Sequence, residues 1–338
     1  MADVGSPGVG GTLVLDGRFG TRARPRAEWN TGDYVVGRVL PDSPLKIPFE
    51  LSSGRLVEVA AGDRIVGALG TRAATLEVVG DWRAIGEDGV FEALTPAGLM
   101  GRTTSKSDTV PDPIRLSYEG HFTIDGRAAC MDDYVPREEP APFDLPVVLI
   151  VGSSMSAGKT TTGRVIVHTL CAARRRVVAA KLTGAGRYRD VLSLGDAGAE
   201  WIFDFVDAGL PSSVCESEDF RTRLEGLLGR IASTDADVAV FEAGASPLEP
   251  YNGATAFEAL APHVRCMVLC ASDPYAVVGI IDAFGRKPDL VAGPTANTEA
   301  GIALVKKLSG LQAIDARSPV AMPELERVLG EALGETGA

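Results

Sequence analysis

Between Asp33 and about Tyr134 the chain alternates short apolar stretches with turn residues. YVVGRVL, RLVEVA, RIVGALG, TLEVVG and RLSYEGHFTI carry β-like patterns, and Gly, Asp and Pro separate them at close spacing. Short strands joined by tight turns predict a small β-barrel or sandwich. After Val147 the pattern changes. Apolar runs at 147–151, 176–181, 237–242, 265–271, 288–292 and 311–315 lack polar alternation, as strands covered on both faces do. Helical periodicity fills 159–173, about 195–208, 218–232, 275–284, 298–308 and 322–333. Alternating strands and helices predict a doubly wound α/β domain with its ligand at the carboxyl ends of the strands.

These changes of character divide the chain. Residues 1–30, rich in Gly and Arg, read as a flexible or edge arm, and 31–134 as the β-rich domain. VPREEPAPFDLP at 135–146 reads as a linker, and 147–338 as the α/β domain. No catalytic constellation is visible in the first half. DRIVGALGTRAATLEVVG reads as a structural hairpin, with a ligand-binding hairpin as the alternative.

Composition removes several function classes. A length of 338 residues allows two cores, and 45% hydrophobic with 23% charged residues is ordinary for a globular protein. Net charge is −12 with a pI near 4.9, which disfavours nucleic acid and anionic membrane as partners. The run PVVLIVG is too short to span a bilayer, and MADVGSPGVGG lacks a signal-peptide core, so a cytoplasmic setting is expected. The five cysteines form no CxxC pair, and Cys266 and Cys270, flanking an apolar run, read as buried free thiols. Three histidines, His121, His168 and His263, have no ligand spacing, so zinc is not expected.

The candidate chemistry is concentrated in VVLIVGSSMSAGKTTTG, residues 147–163. A strand, a Gly/Ser loop and a helix start in that order bring backbone N–H groups together as an anion cradle. The expected nucleotide-binding residues are Gly152, Ser153, Ser154, Met155, Ser156, Ala157, Gly158, Lys159, Thr160 and Thr161. Lys159 would reach the terminal phosphates and the Thr160 hydroxyl would ligate Mg²⁺. Five residues separate Gly152 from Gly158, one more than the usual G-x4-G-K-[ST]. Either Ser153 takes the first-glycine position or the loop is longer.

VGSSMSAGKTTT resembles the phosphate loop of dethiobiotin synthetases, which carry the longer form. It is also similar to a P-loop family catalogued as a domain of unknown function, one branch of which includes a D-glutamate N-acetyltransferase. VVAAKLTGAG resembles the second lysine of the first group, at Lys181, and the Thr-Gly turn of the second, at Thr183 and Gly184. GAEWIFDFVDAG is similar to an Asp-Phe-Val helix of the second, and DVAVFEAGASPLEPYNG to the Glu-Gly strand end of both. The resemblance covers about 147–320. In the second family the N-terminal half is Rossmann-like, whereas here the first half is β-rich, and Ala243 replaces the glycine after the strand-end glutamate.

Individual residues then take candidate roles. Glu242, ending VAVFE, could hold Mg²⁺ directly or through water, or cap the next helix. Lys181 ends an apolar strand and needs an anion, either phosphate, a substrate carboxylate or a structural partner. Both side chains are expected at the edge of the sheet and outside its core. Asp196 and Asp204 are expected near the start of the helix after Thr183, Asp196 as a cap; the resemblance makes Asp204 a third metal-site candidate with Thr160 and Glu242. Thr183, Gly184 and Arg187 are candidates for substrate, with a solvated basic loop as the alternative for Arg187 and Arg189. Asn297 reads either as a base reader or as a helix cap.

Taken together, the expectation is an α/β protein: a C-terminal P-loop doubly wound parallel sheet with an N-terminal β-rich barrel or sandwich. Its expected activity uses ATP and Mg²⁺ to activate a small carboxylate or amine by phosphorylation or ligation, with Lys159, Lys181 and Glu242 catalytic. An N-acyltransferase gripping the coenzyme A diphosphate is one alternative, and a non-catalytic nucleotide-dependent switch another. A homodimer, with no nucleic acid or membrane partner, is the expected assembly.

Overall fold

The computed structural model describes residues 20–137 and 141–334. Residues 1–19 of the expected arm and 138–140 of the expected linker lie outside them. The chain forms two compact units. The first comprises the N-terminal part to Arg137 together with 185–189 and 205–214; the second holds the rest. The two inserted segments were expected in the α/β domain, and they group with the β-rich unit.

The first unit contains β1 (Gly20–Arg22), β2 (Tyr34–Val39), β3 (Phe49–Glu50), β4 (Leu56–Val57), β5 (Arg64–Leu69) and β6 (Thr71–Ala73). It continues with β7 (Val78–Asp81), β8 (Val90–Ala93), β9 (Leu99–Lys106), β10 (Arg115–Ile124) and β11 (Arg127–Ala128). Strand β10 pairs with β2 and β8, β2 with β5, β5 with β9, and β9 with β8. That circuit closes on itself, so of the two expected shapes the barrel is the one formed. Closure satisfies the backbone groups that an open edge would leave unpaired.

Alternation along the strands explains two buried layers. Val35, Val39, Ile65, Leu69, Phe91, Met100 and Leu116 share one core cluster. Their alternates Tyr34, Val36, Val66 and Ala68 join a second with Phe122 and Met131, against which Val206 packs. Successive side chains point to opposite faces, so β2 and β5 need a cover on both. Val206, from the inserted segment 205–214, helps to supply the second cover. Ser212 in the same segment donates its hydroxyl to the Thr71 carbonyl at 2.6 Å.

The second unit carries β12 (Val147–Gly152), β13 (Val177–Thr183), β14 (Trp201–Asp204), β15 (Val238–Ala243), β16 (Val264–Cys270) and β17 (Leu290–Ala292). They form a six-stranded sheet in the order β14-β13-β15-β12-β16-β17, and every pairing is parallel. The helices of this half are α1 (Lys159–Ala172), α2 (Tyr188–Asp196), α3 (Ser217–Ala232), α4 (Gly253–Leu260), α5 (Pro274–Phe284), α6 (Glu299–Ser309) and α7 (Met322–Ala332). Every residue of β12, β13 and β15 is buried, as in a sheet covered on both faces. The chain runs to one side of β12 for β13, β14 and β15, and to the other for β16 and β17. This reversal opens a crevice at the carboxyl end of β12.

Three elements depart from the sequence expectation. The helix expected at 195–208 is helix only to Asp196; Trp201–Asp204 is a strand along β13, and 205–208 is one 3₁₀ turn. Gly198, at φ +114°, breaks the helix between them, and the open edge of β13 recruits the apolar run WIFD. The run 311–315 makes only a single bridge, Val291 to Ala313. Helix α4 had no expected counterpart.

Candidate functional site

Gly152 ends β12, and the next residues bend into a loop that closes at Gly158, the N-cap of α1 with φ +89°. That left-handed backbone suits glycine, as the Gly-Lys-Thr pattern requires. Gly152 has a different reason to lack a side chain. A Cβ there would stand 2.5 Å from Lys159 Nζ and 2.8 Å from the Ala245 carbonyl oxygen. Its bareness lets the Lys159 side chain pass beneath the loop. Lys159 is buried, and its ammonium donates to the Ser154 and Ala245 carbonyls, each at 2.8 Å. Burial pushes its pKa below the ordinary lysine value, against the opposing pull of Glu242. Around the loop, Ser153 N–H donates to the Cys270 carbonyl at 2.9 Å, and Ser156 adopts φ +60°.

The strand ends bring the charged residues into one row. In register, Lys181 on β13 lies opposite Asp204 on β14 and Glu242 on β15. Both Lys181 and Glu242 are buried, which corrects the expectation that they sit outside the core: parallel neighbours and the helices cover even these terminal positions. Lys181 Nζ donates to Asp190 Oδ2 at 2.7 Å. Burial alone would lower the Lys181 pKa; the charges of Asp190, Glu242 and Asp204 outweigh it and hold it above the ordinary value. The two lysines also lie within each other's electrostatic field.

Thr160 at the start of α1 donates its hydroxyl to Glu242 Oε2 at 3.0 Å. That spacing matches neighbouring oxygens around Mg²⁺, which lie about 2.9 Å apart when each is 2.0–2.1 Å from the ion. Two hard oxygen donors beside an anion cradle fit this cation. Among the described residues no group of three or more His, Cys, Asp and Glu could hold a metal ion by itself. Asp204 stands two strands from Glu242, roughly 9–10 Å between backbones, with Lys181 between them. It belongs to the lysine's set of carboxylates and is not placed beside Thr160. Asp196, expected as a cap near a helix start, instead ends α2.

The remaining candidates scatter. The Thr183 hydroxyl donates to the Gly244 carbonyl, which ties Thr183 and Gly184 to the end of β15. Arg187 belongs to the first unit, whereas Thr183 and Gly184 belong to the second. Asn297 does not cap α6: the cap is Thr298, whose hydroxyl accepts from Gly301 N–H at 3.1 Å. Asn297 instead lines a cavity of about 180 Å³ with Gly158, Thr161 and Asp315.

Two contributors were missed at the level of sequence. Asp190 was hidden because the helix was placed too late; Val191 and Leu194, apolar three apart, were the available signal for α2. Thr162 is the other, a buried residue in the first turn of α1 that lines the same cavity as Asn297. All five cysteines are free thiols, and Cys266 and Cys270 are buried. No helix among the described residues is long and apolar enough to cross a membrane.

No protein-family model and no curated protein matches the chain. Among solved structures it is similar to the signal recognition particle 54 kDa protein from Aeropyrum pernix K1 in complex with GDP. Identity is 20%, with 60% of this chain and 53% of that one covered and a TM-score of 0.32. A second is a duf1611 family protein from Anabaena variabilis, 18% identical over 59% of this chain and 63% of that one, TM-score 0.34. A third is HypB from Helicobacter pylori in complex with nickel, 16% identical over 56% of this chain and 88% of that one, TM-score 0.37. The chain thus spans about half the length of the first of these.

Proposed function

We propose that the chain is a nucleotide- and Mg²⁺-dependent enzyme that activates a small carboxylate or amine, by phosphoryl transfer or ATP-driven ligation. One observation carries this reading: the loop lysine, a second buried lysine and the Thr160–Glu242 oxygen pair converge at the carboxyl end of one parallel sheet. Loop N–H groups and Lys159 would hold the phosphates, and Thr160 with Glu242 would hold the metal. Bound Mg²⁺ supplies charge neutralisation on the phosphoryl oxygens. Lys181, leaving Asp190 or sharing it, would meet the charge that develops as the phosphoryl moves. Asn297, with an exposed side chain beside Gly158 and Thr161, would face the base. Kinship with dethiobiotin synthetases belongs to this same proposal.

Thermal melts of the full chain with ATP, GTP and acetyl-CoA, each with and without Mg²⁺, provide the test. Ligand binding stabilises by RT ln(1 + [L]/Kd), about 2.7 kcal/mol at a hundredfold excess over Kd. The expected result is a Mg²⁺-dependent rise with ATP that Lys159→Ala abolishes. A rise with GTP alone would move the nucleotide to guanine. Stabilisation by acetyl-CoA with no response to either nucleotide would replace the reading with acyl transfer. Equal rises in parent and Lys159→Ala would remove the loop from the account.

A further inference from the structure

The β-rich unit contains a cavity of about 160 Å³, lined mainly by apolar side chains that include Ile47, Leu94 and Ile114. Its charged lining residues are Arg72, Glu77 and Arg187. Arg72 is buried, with only 6% of its surface exposed. It donates to the Leu94 carbonyl and pairs with Glu77, but its Nε–H, also buried, finds no acceptor. That nitrogen is shielded from the cavity, which leaves Arg187 as the cation a ligand can reach. Arg187 comes from the segment 185–189 that groups with this unit, and it makes no hydrogen bond or ion pair among the described residues. With Glu77 cancelling one arginine, the pocket carries a single excess positive charge.

We infer that this pocket binds a small monocarboxylate with an apolar body, the Arg187 guanidinium taking the carboxylate and the Ile47, Leu94 and Ile114 walls taking the rest. The charge balance selects a monoanion, because a second negative charge would have no cation to meet it. The apolar walls select against a bare inorganic anion, whose remaining oxygens would be left without donors. An arginine fork matches carboxylate geometry in a way a lysine does not. The volume equals about five water molecules in the liquid, which suits an acid of a few carbons. The binding follows from the pocket itself; only the role of this acid as the group that is activated rests on the nucleotide-dependent reading.

The test uses the full chain labelled at isoleucine methyl groups, titrated with sodium pentanoate and, separately, with neutral pentanamide. Pentanoate is expected to shift the Ile47 and Ile114 methyl signals saturably, and pentanamide to shift them at least tenfold more weakly. Arg187→Gln, an exposed and unpaired position where folding is not at stake, is expected to weaken pentanoate by a similar factor. Lys159→Ala is expected to leave pentanoate binding intact. If pentanoate fills the pocket while no nucleotide binds the loop, the pocket stands and the functional reading falls. The pocket assignment is overturned if pentanoate up to about 50 mM leaves both methyl signals unmoved. It is equally overturned if pentanamide or the Arg187→Gln variant matches the parent with pentanoate.

Discussion

Lys181→Met removes the cation that faces Asp190, Asp204 and Glu242. Asp204 and Glu242 are 2% and 4% exposed, so neither can recover its lost partner from water. Breaking a buried ion pair from one side costs about 3–5 kcal/mol. The side chain of Asp190 is 26% exposed and partly screened, which places the expected loss near the lower bound, about 3 kcal/mol. A domain of this size loses roughly 2–4 °C of Tm per kcal/mol, so the drop is about 6–12 °C. Typical stabilities of 5–15 kcal/mol leave the variant folded. Urea denaturation measures the effect, as a lower midpoint at unchanged slope. Alkali then gives the sign. Outweighing burial, the charges of Asp190, Glu242 and Asp204 hold the Lys181 pKa above its ordinary value near 10.4. A raised folded pKa contributes stability below the unfolded pKa and loses it as pH rises through the folded one. The deficit of Lys181→Met against the parent must therefore be full below about pH 10 and shrink above it. Asp190→Asn added to Lys181→Met should cost less than the sum of the two single changes. A deficit under about 1 kcal/mol, or one that widens above about pH 10, would refute the claim that Lys181 holds these carboxylates.

Glu242→Gln keeps the shape of the side chain but removes the charge opposite Thr160, so nucleotide should still bind while Mg²⁺-dependent turnover falls by orders of magnitude; near-parental turnover would move the metal site elsewhere. Gly152→Ala puts a Cβ against the Lys159 ammonium and the Ala245 carbonyl, and should cost about 1–3 kcal/mol in chemical denaturation while weakening the nucleotide response in thermal melts. Burial pushes the Cys270 thiol up to about 12, and burial with Asp289 does the same for Cys266. Unfolded thiols ionise near 8.5, so stability should fall as pH rises from about 8.5 towards 12, and Cys270→Ala should flatten that fall in alkaline denaturation curves.

Local pattern determined much of this protein. The apolar runs at 147–151, 176–181, 237–242 and 265–271 located four strands to within about two residues, because a strand buried on both faces has no room for polar alternation. Gly152, Gly158, Lys159 and Thr160 located the loop, since few backbones other than a glycine-bounded turn opening a helix explain that order. What pairs with what was a tertiary decision. WIFD carries a helix-compatible pattern and becomes a strand only because β13 offers an open edge. Asp190 reaches Lys181 across a loop that no periodicity places, and Lys181 is buried only because strands on both sides and helices cover it. Barrel closure likewise depended on β10 reaching back to β2, with Leu116 opposite Val39, a contact too distant along the chain for any local window to register. Side-chain preferences act over a few residues, whereas burial and charge pairing are settled by groups that only the folded chain brings together.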